Sequence, residues 1–322
     1  MASHFENHSY TGFEPLQAFD VVYGGHFEHR LLSPGRAAMT HLRLSLIDIR
    51  IETGRYDFPV IAKGTMPKGM VCIGFVAEGI HVTRYNTRQC RDDEIQVYGP
   101  GADLMYHATG GSRWINFMAP IDHLQSLGCE RAGYPVALPE DGIASIPISP
   151  ARRCALQELV DDGLALASAL HPRTIDDVLA REISRAISSA YVDALLDAEA
   201  RGKTGKESSN EGCRRVVAAC EREMLAIQSS AFDLREVSRR TGHSLRSMER
   251  AFRAGVGMTP GRWFRNIRLN GALRDLLAAA PGCTITDTAA RWGFKHLSRF
   301  AQSYQYAFGE PPSVTLRRAR GG

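Results

Sequence analysis

Two stretches near the C-terminus carry side chains able to grip a polyanion. In the first, Arg246, Ser247 and Arg250 fall at i, i+1 and i+4 on one side of a helical pattern, opposite the apolar Leu245, Met248 and Phe252. A guanidinium in that setting offers a planar fork of N–H donors, which fits a guanine edge or a phosphate with two bonds at once. In the second, Lys295, His296, Leu297, Ser298, Arg299 and Gln302 form a polar stretch at the start of a helical pattern, and Phe300, Tyr304 and Phe308 fall on its opposite face as core. Gln302 has the donor–acceptor pair that matches adenine, and Leu297 an apolar end that suits a thymine methyl. Lys295 and Arg299 are charges for phosphates, which position a protein without specifying a sequence. The spacing leaves a plainer role open for Arg250, as an ion-pair partner within the fold or a phosphate contact only.

Catalytic chemistry finds less support. The eleven histidines contain no His-x-His pair followed by a suitably spaced Glu; His26 and His29 precede the clear strands, and His81 and His107 stand alone. The seven cysteines (72, 90, 129, 154, 213, 220 and 283) are scattered and include no Cys-x-x-Cys pair. Neither set has metal-ligand spacing. No catalytic residue, metal or cofactor is therefore expected, and the thiols read as reduced in a cytoplasmic setting. Membrane contact is not expected either: no run approaches the roughly 20 apolar residues of a bilayer helix. The first ten residues carry His4, Glu6 and His8 with no apolar run, so no secretory signal is visible.

Charge divides the chain. Residues 213–322 hold 19 Lys and Arg against 8 Asp and Glu, while residues 1–212 hold 20 against 27. A basic third beside an acidic remainder points to a polyanionic partner for the basic part alone. Between them, residues 201–212 contain Gly, Ser, Lys and Glu but no large apolar side chain, the composition of a flexible linker. The expected domains are residues 1–200 and 213–322.

Within residues 21–118, short alternating segments recur between Gly, Pro, Asp and Asn turns, as in a sandwich or small barrel. Leu42, Leu44 and Leu46 share one phase, and Ile47, Ile49 and Ile51 the other, as a bulge or barrel corner requires. After Pro150 the period becomes helical. One stripe contains Leu156, Val160 and Leu164; a second, expected to be capped by Thr174, runs over residues 178–195 and either covers the strands or pairs two chains.

The basic third contains a repeat. Asp233 and Glu236 form a capping box before a short helix, Gly242 and His243 make a turn, and Ser244 caps a second helix over residues 245–254. Some fifty residues later Thr284 and Asp287 cap a helix, Gly293 and Phe294 turn, and a helix follows over residues 296–308. A long helix over residues 260–277 joins the two. Helix-turn-helix units of this kind set their second helix in a major groove.

These residues carry a resemblance. Ile285-Thr-Asp-Thr-Ala-Ala-Arg-Trp-Gly-Phe294 with Phe300, Tyr304, Gly309 and Pro312, and Leu234, Val237, Gly242, Ser244, Met248, Arg250, Phe252, Gly257, Pro260 and Arg268 in the first unit, are similar to the DNA-binding domain of AraC/XylS-family regulators. Leu273, Gln302 and Tyr304 depart from the residues most common there. The resemblance implies that Ser244, Arg246, Glu249 and Arg250 lie at base edges or the adjoining phosphates. More weakly, Tyr98-Gly-Pro-Gly101 and Trp114-Ile-Asn-Phe117 resemble the family's effector domains, which implies a cupin-like β-barrel followed by dimerising helices. The fold class expected is thus α+β, with that barrel first and an all-α double helix-turn-helix domain second. Arg84, Tyr85, His107, Arg113 and Trp114 are the polar strand residues that could orient a ligand, though each also suits an ordinary strand. The resemblance further implies a homodimer on double-stranded promoter DNA, answering to a small-molecule effector and meeting RNA polymerase if it activates. Two alternatives stand beside it: an effector-independent regulator with a dimerising barrel, and a cupin-type metal enzyme fused to a DNA anchor.

Overall fold

A computed structural model of the chain describes residues 3–33, 37–201, 211–226 and 233–321. Most of the linker expected over residues 201–212 lies outside the described residues. The first half contributes β1 (His4–Thr11), β2 (His26–Leu31), β3 (Ala38–Ser45), β4 (Arg50–Tyr56), β5 (Val60–Thr65), β6 (Val71–Glu78), β7 (Thr83–Tyr85), β8 (Arg88–Gln89), β9 (Glu94–Tyr98), β10 (Asp103–Ala108) and β11 (Ser112–Ala119). Then come α1 (Ile121–Ala132), β12 (Ile143–Pro147), α2 (Pro150–Leu170) and α3 (Asp177–Ala200). The strands form two sheets, in the orders β1-β3-β4-β11-β6-β9-β12 and β2-β5-β10-β7-β8.

Among the described residues no ladder joins the two sheets, so the expected closed barrel is an open double-sheet sandwich. The end strands explain this: β8 is two residues long, and β2 lies against a helix of the C-terminal half. The apolar phase change is a hairpin and not a bulge. β3 ends at Ser45, β4 begins at Arg50, and the Leu46 amide donates to the Ile49 carbonyl at 2.9 Å between them.

Strand alternation divides the apolar residues between two cores. On β11, Trp114 and Met118 face the sandwich interior, and Ile115, Phe117 and Ala119 face a second cluster built with α1, α2 and α3. There Phe117 stacks on Tyr191 of α3 with ring centroids 4.3 Å apart. The stripe over residues 178–195 therefore covers the seven-stranded sheet. Its cap is Asp176, whose carboxylate accepts from the Val178 and Leu179 amides, in place of the expected Thr174. Ile187 has no exposed surface while Val178 is 66% exposed. Ile187→Glu is accordingly expected to destabilise the chain by more than about 4 kcal/mol, the range of buried unpaired charges, whereas Val178→Glu changes stability by less than about 0.5 kcal/mol. Urea unfolding of both variants checks this.

The C-terminal half is helical: α4 (Glu211–Ala226), α5 (Leu234–Thr241), α6 (Leu245–Val256), α7 (Pro260–Ala278), α8 (Ile285–Arg291), α9 (Leu297–Phe308) and α10 (Pro312–Ala319). It docks on the outer face of the five-stranded sheet. Ile61 of β5 and Met105 of β10 share a core cluster with Val217, Met248, Phe252, Trp263 and Phe264. Buried polar contacts accompany this apolar one. Arg30 of β2 donates to Glu221 of α4 at 2.5 Å, and Lys63 reaches the same carboxylate at 2.9 Å. Asn270 of α7 accepts from the Leu31 amide at 2.8 Å and donates to the Leu31 carbonyl at 3.0 Å. The turn between β7 and β8, with Asn86 and Thr87 both at positive φ, seats Thr87 on Gly255 of α6. A Cβ at Gly255 would lie 2.9 Å from the Thr87 Cβ, so glycine is what permits the approach.

Candidate nucleic-acid interface

Each helix-turn-helix unit is set by its caps and its glycine. In the first, Asp233 accepts from the Arg235 amide at 2.8 Å. Glu236 does not complete the expected capping box; its carboxylate takes Arg239 and Arg240 one turn on. Gly242 turns the chain at φ 71°. Ser244 then caps α6 by accepting from the Ser247 amide at 3.2 Å, and α6 runs to Val256, two residues beyond the expected end. In the second, Thr284 accepts from the Asp287 amide at 3.0 Å, Gly293 turns at φ 69°, and α9 begins after His296.

The second unit is pinned to α7 by Trp292. Its indole lies on Gly271, where a Cβ would come within 2.1 Å of the ring, and its N–H donates to Asp275 at 2.9 Å. Arg268 of α7 donates to the Trp292 carbonyl and lies 4.3 Å from the centroid of Phe294. Phe300, Tyr304 and Phe308 close the core beneath α9. Each of these side chains faces inward, so the opposite face of α9 is left for solvent.

The expected contact residues are on those free faces. Ser244, Arg246, Glu249 and Arg250 are exposed on or just before α6, with Ser247 half-buried beside them; Lys295, His296, Leu297, Ser298, Arg299 and Gln302 are exposed just before α9 or in its first half. Among the described residues, Arg246, Arg250, Lys295 and Arg299 have no hydrogen-bond or ion-pair partner. Other arginines nearby are paired: Arg239 and Arg240 with Glu236, Arg291 with Asp275, and Arg318 with Glu310. The ion-pair role left open for Arg250 thus has no counterpart here. Three exposed cations were missed by sequence reading: Arg253 on α6, and Arg262 and Arg265 in the first half of α7. Arg253 was detectable, because it lies seven residues after Arg246 on the same helical face.

Residues 237–318 match a family described as "Helix-turn-helix domain". A probable thc operon regulatory protein of Rhodococcus erythropolis is 43% identical over 83 residues, 26% of this chain and 25% of that protein. The XylDLEGF operon transcriptional activator of Pseudomonas putida is 42% identical over 79 residues, 24% of each chain. The C-terminal third of this chain is an AraC/XylS-family domain. The chain spans about a quarter of the length of these two relatives. Among solved structures, a probable AraC family transcriptional regulator from Rhodopseudomonas palustris is 32% identical, with 33% of this chain and 97% of that one covered at a TM-score of 0.31.

In front of its AraC/XylS-family domain, the chain distributes the five expected ligand residues over three places. Tyr85 and Trp114 do face the sandwich interior, with Tyr56, Tyr98 and Tyr106. The rings pack closely, Tyr85 and Tyr106 lying 5.6 Å apart, and leave a cavity of about 20 Å³. That is room for one water and no larger guest. His107 points the other way, towards α7, with its ring 6.3 Å from that of Trp263. Burial, with the Arg84 charge beside it in register on β7, pushes His107 down to about 4. Arg113 bridges to Asp161 of α2. Sequence reading missed a buried polar group altogether: Glu52 has no exposed surface, takes Arg43 at 2.5 Å and the Tyr23 amide at 3.0 Å, and is pushed up by burial to about 7. Among the described residues no cluster of three or more His, Cys, Asp or Glu could hold a metal ion, and no helix is long and apolar enough to cross a membrane.

Proposed function

We propose that this chain is a DNA-binding transcription regulator of the AraC/XylS type, cytoplasmic, in which both helix-turn-helix units engage neighbouring turns of the major groove of a promoter. The supporting observation is that unpaired cations among the described residues gather on the exposed faces of α6 and α9, while neighbouring arginines have carboxylate partners. Residues 213–322 act in this reading as the DNA-binding domain and residues 1–200 as its regulator, with RNA polymerase as a further partner if the protein activates. A homodimer would pair through a surface other than the buried side of α3.

Control by a small molecule inside the sandwich requires the aromatic rings around Tyr85 and Trp114 to move aside. The filled interior favours a second reading, in which the β-rich half acts through its docked contact with α4, α6 and α7. A thermal-shift screen of metabolites separates the two, because a ligand at 100 times its Kd adds about 2.7 kcal/mol of stability.

The DNA contacts are tested by two alanine variants. Arg250→Ala is expected to cost about 1–3 kcal/mol on the cognate site and to relax preference at one base pair, with non-specific affinity nearly unchanged. Lys295→Ala is expected to weaken binding to every duplex about equally and to lower the salt slope by about one. Titrations against cognate and scrambled duplexes at several salt concentrations measure both. Equal weakening of both duplexes by Arg250→Ala would remove the base-reading role.

A further inference from the structure

Between the first half of α7 and the start of α9 lies an open cleft of about 370 Å³. Its walls carry Arg265 and Arg268 from α7 and Lys295, His296, Arg299 and Ser303 from the second unit; none of its lining residues is acidic. Arg265, Lys295 and Arg299 are exposed and without partners among the described residues. Arg268 is different, being only 8% exposed. Its Nε donates to the Trp292 carbonyl, and among the described residues its Nη2 has no hydrogen-bond partner and no carboxylate pairs with it. Burial and the like charge of Arg265 together push it down to about 10. The Trp292 carbonyl and the rings of Phe264 and Phe294 partly compensate this guanidinium, but with no carboxylate partner and three more cations at the rim the cleft favours entry of an anion.

We propose that this cleft is an anion site which takes a backbone phosphate of the bound DNA, gripped by Arg265 from α7, by Arg299 from α9 and by Lys295 from the turn just before α9. The inference rests on the DNA-binding reading above and adds α7 to the contact surface. Arg268 contributes the field from below, and Arg265, Lys295 and Arg299 the direct bonds. The phosphodiester is favoured over a free phosphate-bearing molecule because the cleft opens beside the exposed start of α9, where the groove-facing residues begin. One wall belongs to the joining helix and the other to the second unit, so a phosphate held here fixes that unit's register on the duplex.

The test uses the full chain, with Arg265→Ala, Arg265→Lys and Arg299→Ala, against a set of unrelated duplexes between 50 and 200 mM salt. Arg265 is exposed, so circular dichroism and melting should match the parent. Arg265→Ala is expected to weaken every duplex alike and to lower the salt slope by about 0.9, which makes its loss of affinity across that salt range about 3.5-fold smaller than the parent's. Arg265→Lys should restore most of the slope. Arg265 and Arg299 share one phosphate, so the double variant should lose less than the two single losses combined. An unchanged slope in Arg265→Ala, with the parent binding duplexes normally, overturns the site and leaves the DNA-binding reading intact. If the parent binds no duplex but inorganic phosphate raises its melting temperature, and not that of Arg265→Ala, the anion is a free one and the DNA assignment falls. If the parent binds neither, both fall.

Discussion

Glu221→Gln is expected to destabilise the chain by about 3–5 kcal/mol, the cost of removing one partner from a buried ion pair. Glu221 is 1% exposed and Arg30 2%. Burial alone would push the Glu221 carboxyl up, but Arg30 and Lys63 outweigh it and hold the group below its ordinary range. With glutamine there, the Arg30 charge keeps, among the described residues, only Glu28 at 3.0 Å, which is partly exposed and shared with Arg274. Lys63→Met is the contrast: the Lys63 side chain is 40% exposed, and its loss should cost less than about 1 kcal/mol. Urea unfolding gives the numbers, and hydrogen exchange of the α4 amides reports whether α4 leaves the sheet. A Glu221→Gln chain within about 1 kcal/mol of the parent would mean that α4 is not held there in solution.

Stability should also fall steeply on mild acidification. Burial pushes His29 and His107 down to about 4 and His41 to about 3, so the folded chain keeps all three neutral where the unfolded chain charges them. Their contribution is complete above pH 6.5 and is lost as pH falls through the folded values. Glu52 works in the opposite direction: burial raises it to about 7, so its contribution is complete below the ordinary carboxylate range and is lost as pH rises through 7. Near pH 5.5 three histidines favour proton uptake on unfolding and one carboxyl favours release. The net is about two protons, or about 2.5–3 kcal/mol per pH unit. Urea unfolding between pH 7 and 5 measures that slope, and His41→Gln should reduce it by about one proton. A flat profile would show that these histidines are not buried in solution.

The helix-turn-helix repeat was legible because local chemistry specifies it. Asp233, Ser244 and Thr284 each accept from an amide two or three residues on, and Gly242 and Gly293 take the turns that only a residue tolerant of positive φ favours. The docking of the two halves was not legible. Arg30, Glu221 and Asn270 are types that ordinarily face water, and they meet across 191 and 239 residues of chain. Nothing near any of them in sequence signals the partner. Interior volume was equally hidden: strand period cannot tell a filled core from a ligand cavity, and only the packing of the two sheets shows that Tyr56, Tyr85, Tyr98, Tyr106 and Trp114 meet and fill the space. The stripe on α3 was correctly read as apolar, but periodicity cannot distinguish a sheet from a second chain as its cover.

The pair of hydrogen bonds between Asn270 and Leu31 has a consequence for solubility. β2 ends the five-stranded sheet, so its outward amides and carbonyls are a template for any extended chain that meets them. Asn270 occupies one amide and one carbonyl of that template, imitating a neighbouring strand with a side chain. The helical half thus shields the rim of the sheet, and a chain whose helices come away exposes it beside the apolar Phe27 and Leu31. Weakly docked variants should therefore self-associate through added β-structure before they unfold, and the protein's resistance to aggregation would depend on a residue with no part in reading DNA.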